Sequence, residues 1–399
     1  MLSKLAPMTA PVQNHRMPPK LRQMISELIG TPSISSVSPE FDSSNLAVCN
    51  LLASWLEDLD FRIDVRSVPG THDKFNLIAT RGDGPGGLVL AGHTDTVPFD
   101  EGKWQTDPFG AKERDQRIYG LGSADMKSFF ALAIEAVRAC LDRDPRQPLT
   151  LLATADEESS MSGARALAES GRLPGAYAVI GEPTGLRPVR AHKGITMDAV
   201  RLTGKAAHSS NPATGVNAID GMHRVIASLI ALRQQLAQRF HDERFDVPAP
   251  TLNLGHIQGG DNPNRVCAMC ELHFDLRLLP GMHIDSSRRE IQAAVTDSLV
   301  DTGLEIEFET LFEGVEALEV PENSKLLKAC TRHTGKTPQV VGFATEAPFL
   351  AGMGLDTVVI GPGDIAQAHR PDEYLPLSAI APTLHLLQTL IGQFCLEAA

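Results

Sequence analysis

The apolar positions change rhythm twice along this chain. From about residue 20 to 190, stretches with helical spacing (LRQMISELIG, LAVCNLLASWLEDL, FFALAIEAVRACL) alternate with short continuous apolar runs bounded by turn residues (GLVLAG, LTLLATA, AYAVIG). Continuous runs of that length fit central strands covered on both faces. Their alternation with helices predicts an α/β unit whose mixed, mostly parallel sheet is sandwiched by helices. After Lys193 the runs alternate polar and apolar instead (ITMDAVRLTGKA, TLNLGHIQGG, ELHFDLRLLP), with helical stretches GVNAIDGMHRVIASLIALRQQLAQRF and SSRREIQAAVTDSL between them. Single-faced strands interleaved with helices predict a small α+β unit of ferredoxin-like order. Beyond LEIEFETLFEGVEAL the first rhythm returns, so the second unit reads as an insertion. The predicted division is a body of residues 20–193 and 312–399, an inserted unit of residues 194–311, and an N-terminal extension over residues 1–19.

In an open α/β sheet, chemistry gathers at the carboxyl ends of the strands. Five segments place ligand-type side chains there or at a helix start. GLVLAGHTDTVP brings His93 and Asp95, two residues apart and on one side of an extended chain, as a ligand histidine and a carboxylate that can orient its other ring nitrogen. YGLGSADMKSFF sets Asp125 in a Gly-rich turn opening a helix, where a plain N-cap is the competing reading. TLLATADEESS gives adjacent Glu157 and Glu158, which would repel each other after a buried strand unless a cation sat beside them. AYAVIGEPTG supplies Glu182, and DTVVIGPGDIAQAHRPDEYL supplies His369. Two histidines and four carboxylates together form the oxygen and imidazole mixture that suits two zinc-like ions.

Composition narrows the partners. At 399 residues, 42% apolar and 21% charged, the chain has material for two cores. No window reaches the roughly 18 uninterrupted apolar residues of a spanning helix, so no membrane partner is expected. The opening MLSKLAPMTAPVQNHRMPPK, broken by four prolines, lacks the apolar run of a secretory signal and points to the cytoplasm. A net charge of −13 repels a phosphate backbone and argues against nucleic acid. Cys267 and Cys270 have CxxC spacing, but in the alternating RVCAMCELHFDLRL residues three apart point to opposite faces, so they read as packing.

In the order AGHTDTVP, GLGSADMKSFFA, ADEE, GEPT and AHRPDEYL, the chain resembles the aminoacylase and acetylornithine deacetylase family of dizinc metallopeptidases, from about residue 20 onward. That resemblance implies two Zn2+ per subunit, with Co2+ a possible substitute: His93 and Glu182 on one ion, Glu158 and His369 on the other, Asp125 between them. It implies Glu157 as general base toward a metal-bridging water and Asp95 as the partner of His93. The inserted unit resembles the family's lid and dimerisation domain through GKAAHSSNPATGVNAI, which implies a homodimer in which His208 reaches a neighbouring subunit's site to stabilise the oxyanion. By the same likeness Asn264 or Arg265 would contact the substrate carboxylate.

Within the family, FATEAPFLAGMG resembles the acetylornithine-cleaving branch. This makes Thr345 and Glu346 candidates for substrate contact and implies deacetylation of N2-acetyl-L-ornithine, a step of arginine biosynthesis. Acetylcitrulline, succinyl-diaminopimelate and dipeptides stay open as substrates, as does removal of C-terminal residues. A non-catalytic binding protein would have lost a ligand or the base, and all six are present.

Overall fold

The computed structural model describes residues 17–171 and 173–397; residues 1–16 of the expected N-terminal extension lie outside them. Helices α1 (Leu21–Ile29) and α2 (Leu46–Glu57) precede strands β1 (Arg62–Ser67), β2 (Phe75–Arg81) and β3 (Leu88–His93). A hairpin, β4 (Lys112–Arg114) and β5 (Arg117–Tyr119), leads into α3 (Lys127–Arg138), β6 (Leu149–Thr154), α4 (Ser162–Ser170), β7 (Tyr177–Ile180) and β8 (Val189–His192). Lys193 alone separates β8 from β9 (Gly194–Thr203), followed by α5 (Ala218–Arg239), β10 (Thr251–Gly259), β11 (Met269–Leu278), α6 (Ile284–Ser298) and β12 (Glu305–Val315). The chain returns through β13 (Leu318–Glu319), α7 (Lys325–Thr334), β14 (Gln339–Val341), α8 (Ala347–Gly352), β15 (Asp356–Val359), β16 (Tyr374–Pro376) and α9 (Ile380–Ile391).

The large sheet runs β1-β2-β6-β3-β7-β15-β8-β13, with β14 also on β8. Its centre, β6-β3-β7-β15, is parallel, and antiparallel strands flank it. Strands β3 and β6 are buried at every position, which is why their sequences show no alternation. Each Val or Leu buried there contributes about 1.5–3 kcal/mol. From β3 the chain crosses to β6 through α3, then back past β3 to β7 through α4. Right-handed crossovers taken in opposite directions put those helices on opposite faces and open a crevice at the carboxyl end of β3. Helix α3 packs with α1, α2 and α9, and α4 packs with α8. The segment Leu377–Leu396 is long and apolar enough to cross a membrane by length and composition; in it Leu386, Leu387, Leu390 and Ile391 are buried, and α9 packs on α3 and α7.

The second sheet, β10-β11-β9-β12, is antiparallel, with α5 and α6 packed together against its strands. Along β11, Cys270, Leu272, Phe274 and Leu276 are buried while Glu271, His273, Asp275 and Arg277 between them are partly exposed. Cys267 lies ahead of β11, and both it and Cys270 enter the core under α5, so they do not divide between two faces as strand spacing implied. One irregularity interrupts β10: Leu254 pairs with Phe274, yet His256 pairs with His273, leaving Gly255 as an extra, bulged residue. A third small sheet, β16-β5-β4, sets Tyr374 opposite Tyr119 with ring centroids 5.6 Å apart, fastening the stretch before Asp125 to the stretch after His369.

Candidate metal centre

Strand ends and one helix start converge in the crevice. His93 closes β3, Glu157 and Glu158 follow β6, Glu182 follows β7, His369 follows β15, and Asp125 lies just ahead of α3. Gly92 and Gly181 let α3 approach this closely, since a β-carbon on either would overlap Met126 or the Phe129 ring. The Asp125 side chain makes no helix cap: α3 has Met126 at its N-cap without a side-chain bond. Asp125 instead stands between the histidines, Oδ1 at 3.1 Å from His93 Nε2 and Oδ2 at 3.6 Å from His369 Nε2. His93 Nε2 also lies 3.9 Å from Glu182 Oε1, and His369 Nε2 lies 2.9 Å from Glu158 Oε2. His93, Asp125 and Glu182 are buried, whereas the His369 side chain is 54% exposed and forms the mouth.

The orientation of His93 differs in detail from the expected carboxylate contact. Its Nδ1 donates to the Asp95 backbone carbonyl at 3.0 Å, while the nearest Asp95 carboxylate oxygen is 3.7 Å away. Asp95 Oδ2 accepts the Glu158 amide at 3.1 Å, so this carboxylate holds the loop carrying Glu158.

Charge in the crevice is unbalanced. Burial, followed by the neighbouring Asp125 charge, pushes Glu158 up and Glu182 well above the carboxylate range. Glu157, still partly accessible, is also well above it, through burial and the charges of Glu182, Glu158 and Glu346 working against His93. The His93 imidazole, pulled down by burial, is held well above its ordinary value by the Asp125 hydrogen bond and the surrounding carboxylates. The hydrogen bond to Glu158 raises His369 to about 9. Glu182 Oε1 is buried with no hydrogen-bond partner among the described residues. Crowded carboxylates with an orphaned oxygen, facing two imidazoles, are a donor set for divalent cations. Donor atoms of His93, Asp125 and Glu158 already lie within 4.8 Å of one another. Glu157 makes no hydrogen bond or ion pair to the described residues, so its carboxylate stays free beside that set.

A supporting layer escaped the sequence reading. Asp156, the first acid of ADEE, accepts Ser35 Oγ at 2.9 Å and Ser162 Oγ at 3.1 Å and pairs with buried Lys74 at 2.9 Å, which also pairs with Asp42 at 2.7 Å. Glu373 accepts the backbone amides of Gly122, Ala124 and Asp125 at 3.2, 2.7 and 3.0 Å, fixing the turn that presents Asp125. Asp156, His369 and Asp372 hold φ of +59°, +58° and +57°, a conformation costing residues with a β-carbon of order 1 kcal/mol each. Asp372 offsets this by accepting the Thr106 amide and hydroxyl at 2.9 and 3.0 Å. The ADEE run offered a signal for Asp156; Lys74 offered none, because its partners are far along the chain.

The remaining candidates fall into two places. Glu346 precedes α8 and is buried with both oxygens unpartnered; the nearby Thr154 hydroxyl is committed to the Gly92 carbonyl. Burial pushes its carboxyl up to about 7. Thr345 Oγ1 lies 3.1 Å from His192 Nε2, whose Nδ1 donates to the Lys193 carbonyl; burial keeps that ring neutral by pulling it to about 4. His208, Asn264 and Arg265 sit together in the second sheet's loops, where His208 bridges Arg265 through the backbone and Arg265 pairs with Asp261. The Ser210 amide donates to His208 Nδ1 at 3.1 Å, which assigns its proton to Nε2. No hydrogen bond or ion pair among the described residues joins these three to the carboxylate cluster.

This donor set, in this fold, defines a metal-dependent hydrolase of amide bonds. The chain belongs to Peptidase family M20/M25/M40, which matches residues 89–393. Over 377 residues it is 48% identical to acetylornithine deacetylase of Edwardsiella ictaluri (strain 93-146) and 47% identical to that of Pasteurella multocida (strain Pm70), covering 94% of this chain and 98% of each relative. Its fold is shared with an M20-family metallo-carboxypeptidase from Sulfolobus solfataricus, at a TM-score of 0.73 with 17% identity, 94% of this chain and 98% of that one.

Proposed function

We propose that the chain removes the acetyl group from N2-acetyl-L-ornithine, as the named activity of its 48%-identical relatives suggests. The observation that carries the chemistry is Glu157, an unbonded carboxylate beside a crowded set of metal donors. On this reading His93 and Glu182 would hold one Zn2+ and Glu158 and His369 the other, and Asp125, whose two oxygens face different histidines, would serve both. Co2+ suits the same donors. Cations held there lower the pKa of water and polarise the amide carbonyl. Glu157 takes the proton from the attacking water and returns it to the leaving amine. Asp95 fixes His93 through its carbonyl and the Glu158 loop through its carboxylate. Glu346, buried and unpartnered, complements the cationic side chain of ornithine, with Thr345 beside it.

Residues 20–193 and 312–399 form the catalytic body in this reading, and residues 194–311 the lid through which a homodimer assembles, although β12 carries the second sheet on to Val315. His208, with Nε2–H free, serves the partner's site as oxyanion donor, and Asn264 and Arg265 hold the substrate carboxylate. Arginine biosynthesis and the cytoplasm are the matching setting, and six buried, unpaired cysteines suit a reducing compartment.

The test is amine release from N-acetylornithine, N-acetylcitrulline, N-succinyl-diaminopimelate and dipeptides by chelator-stripped protein resupplied with zinc or cobalt. Metal-dependent preference for acetylornithine is expected; preference for any other member of the panel overturns the substrate assignment. His208→Ala should lose roughly 10²-fold in turnover without losing metal, and an unchanged rate refutes its oxyanion role.

A further inference from the structure

The aim of the Glu157 carboxylate is set by the backbone that carries it, because the side chain makes no hydrogen bond or ion pair to the described residues. That backbone is clamped on both sides. After it, the Glu158 amide donates to Asp95 Oδ2 at 3.1 Å. Before it stands Asp156, whose side chain is tied from three directions. Oδ1 accepts the Ser35 hydroxyl and pairs with Lys74 Nζ, both at 2.9 Å, and Oδ2 accepts the Ser162 hydroxyl at 3.1 Å. The Asp156 carbonyl accepts the amides of Ser160 and Met161 at 3.0 and 2.6 Å. A residue at φ +59°, held by its side chain and its carbonyl together, has little freedom to swing the peptide that follows.

The anchors come from separate parts of the body. Ser35 lies between α1 and α2, and its amide bonds the Thr96 carbonyl at 2.9 Å, beside the loop of Asp95. Lys74 immediately precedes β2, is buried, and also binds Asp42 Oδ1 at 2.7 Å and the Ser43 carbonyl at 2.9 Å. Ser162 opens α4. A turn from strand to helix needs no such fastening, and a buried ion pair is a poor source of net stability because both charges lose their water. What the Asp156 anchors supply is a fixed starting point for the next side chain.

We propose that Asp156 is a positioning residue: through Lys74, Ser35 and Ser162 it fixes the backbone from which Glu157 reaches the attacking water. The inference rests on the general-base reading of Glu157. A misplacement of about 1 Å can cost 10²-fold in rate. Asp156→Asn keeps the shape of the side chain, suits a positive φ and breaks the ion pair. It should lower kcat by about 10- to 10²-fold, with KM, bound metal and the visible spectrum of the cobalt-loaded protein unchanged. Because Asp156 acts through Glu157, adding Asp156→Asn to Glu157→Gln should lower turnover no further than Glu157→Gln alone. Ser162→Ala, which removes one anchor and leaves the ion pair, should show the same pattern with a smaller loss, and it carries the test where Asp156→Asn lowers the urea midpoint. An unchanged kcat in both variants, an equal fold-loss with and without Glu157→Gln, or a shifted cobalt spectrum would overturn the inference and leave the general base standing. Wild-type turnover in Glu157→Gln would remove the general-base reading and this inference with it.

Discussion

At the carboxyl ends of β3, β6 and β7, acidic side chains are packed out of water beside two histidines, and one carboxylate oxygen of Glu182 is left with no partner. On the open face of the second sheet, the acids around Arg201 are bonded to it or solvated. The strands beneath explain the contrast. Continuous apolar strands have no solvated face, so their charged side chains come at or after the strand ends, in the crevice. Alternating strands carry polar residues along a wet face. In the crevice Glu157, Glu158 and Glu182 are raised by burial and by the acids beside them, whereas Glu271, hydrogen-bonded by His273 and Arg201, is held below the ordinary range.

Three substitutions would break or sharpen that contrast. Glu157→Gln keeps the shape of the side chain and removes the proton acceptor. Turnover should fall by about 10²–10⁴-fold with bound metal unchanged; wild-type turnover would end the general-base assignment. Lys74→Met removes the buried cation beneath the crevice and leaves Asp156 unpaired, at a cost of about 3 kcal/mol read in urea unfolding. Lys74 is lowered by burial and raised further by its bonds to Asp42 and Asp156, so its folded value lies above the ordinary 10.5. Its contribution is therefore complete below that value and fades as pH rises through the folded one. The gap between wild type and variant should narrow as pH rises above 10.5, and a gap that stays constant there would refute the pairing. Arg201→Ala, on the wet face, should leave the urea unfolding midpoint nearly unchanged; a loss as large as that of Lys74→Met would show that the two regions do not differ as described.

The fold class was legible because GLVLAG and LTLLATA are buried on both faces while β11 alternates. The candidate donors that the structure brings together were legible because each follows such a run or opens a helix. What stayed hidden depends on distance along the chain or on single-residue geometry. Lys74 meets Asp42 and Asp156 only after folding, and Glu373 acts on amides of a turn about 250 positions earlier in the chain. The orienting group for His93 is the carbonyl of Asp95, whose side chain had seemed the natural partner. Gly255 looks like an ordinary position in TLNLGHIQGG, yet its bulge reverses which face His256 occupies.

The small sheet joining Tyr119 to Tyr374 also sets a clock on the biosynthesis of the protein. His369 and Glu373 enter the chain far later than His93, Asp125 and Glu158, with the whole second sheet made in between. A nascent chain therefore carries a half-built cluster of unneutralised acids for most of its synthesis. The centre closes only when the stretch up to Tyr374 arrives, and a chain cut short before it would lack both α9, which packs on α3, and the clasp that brings His369 to the other candidate donors.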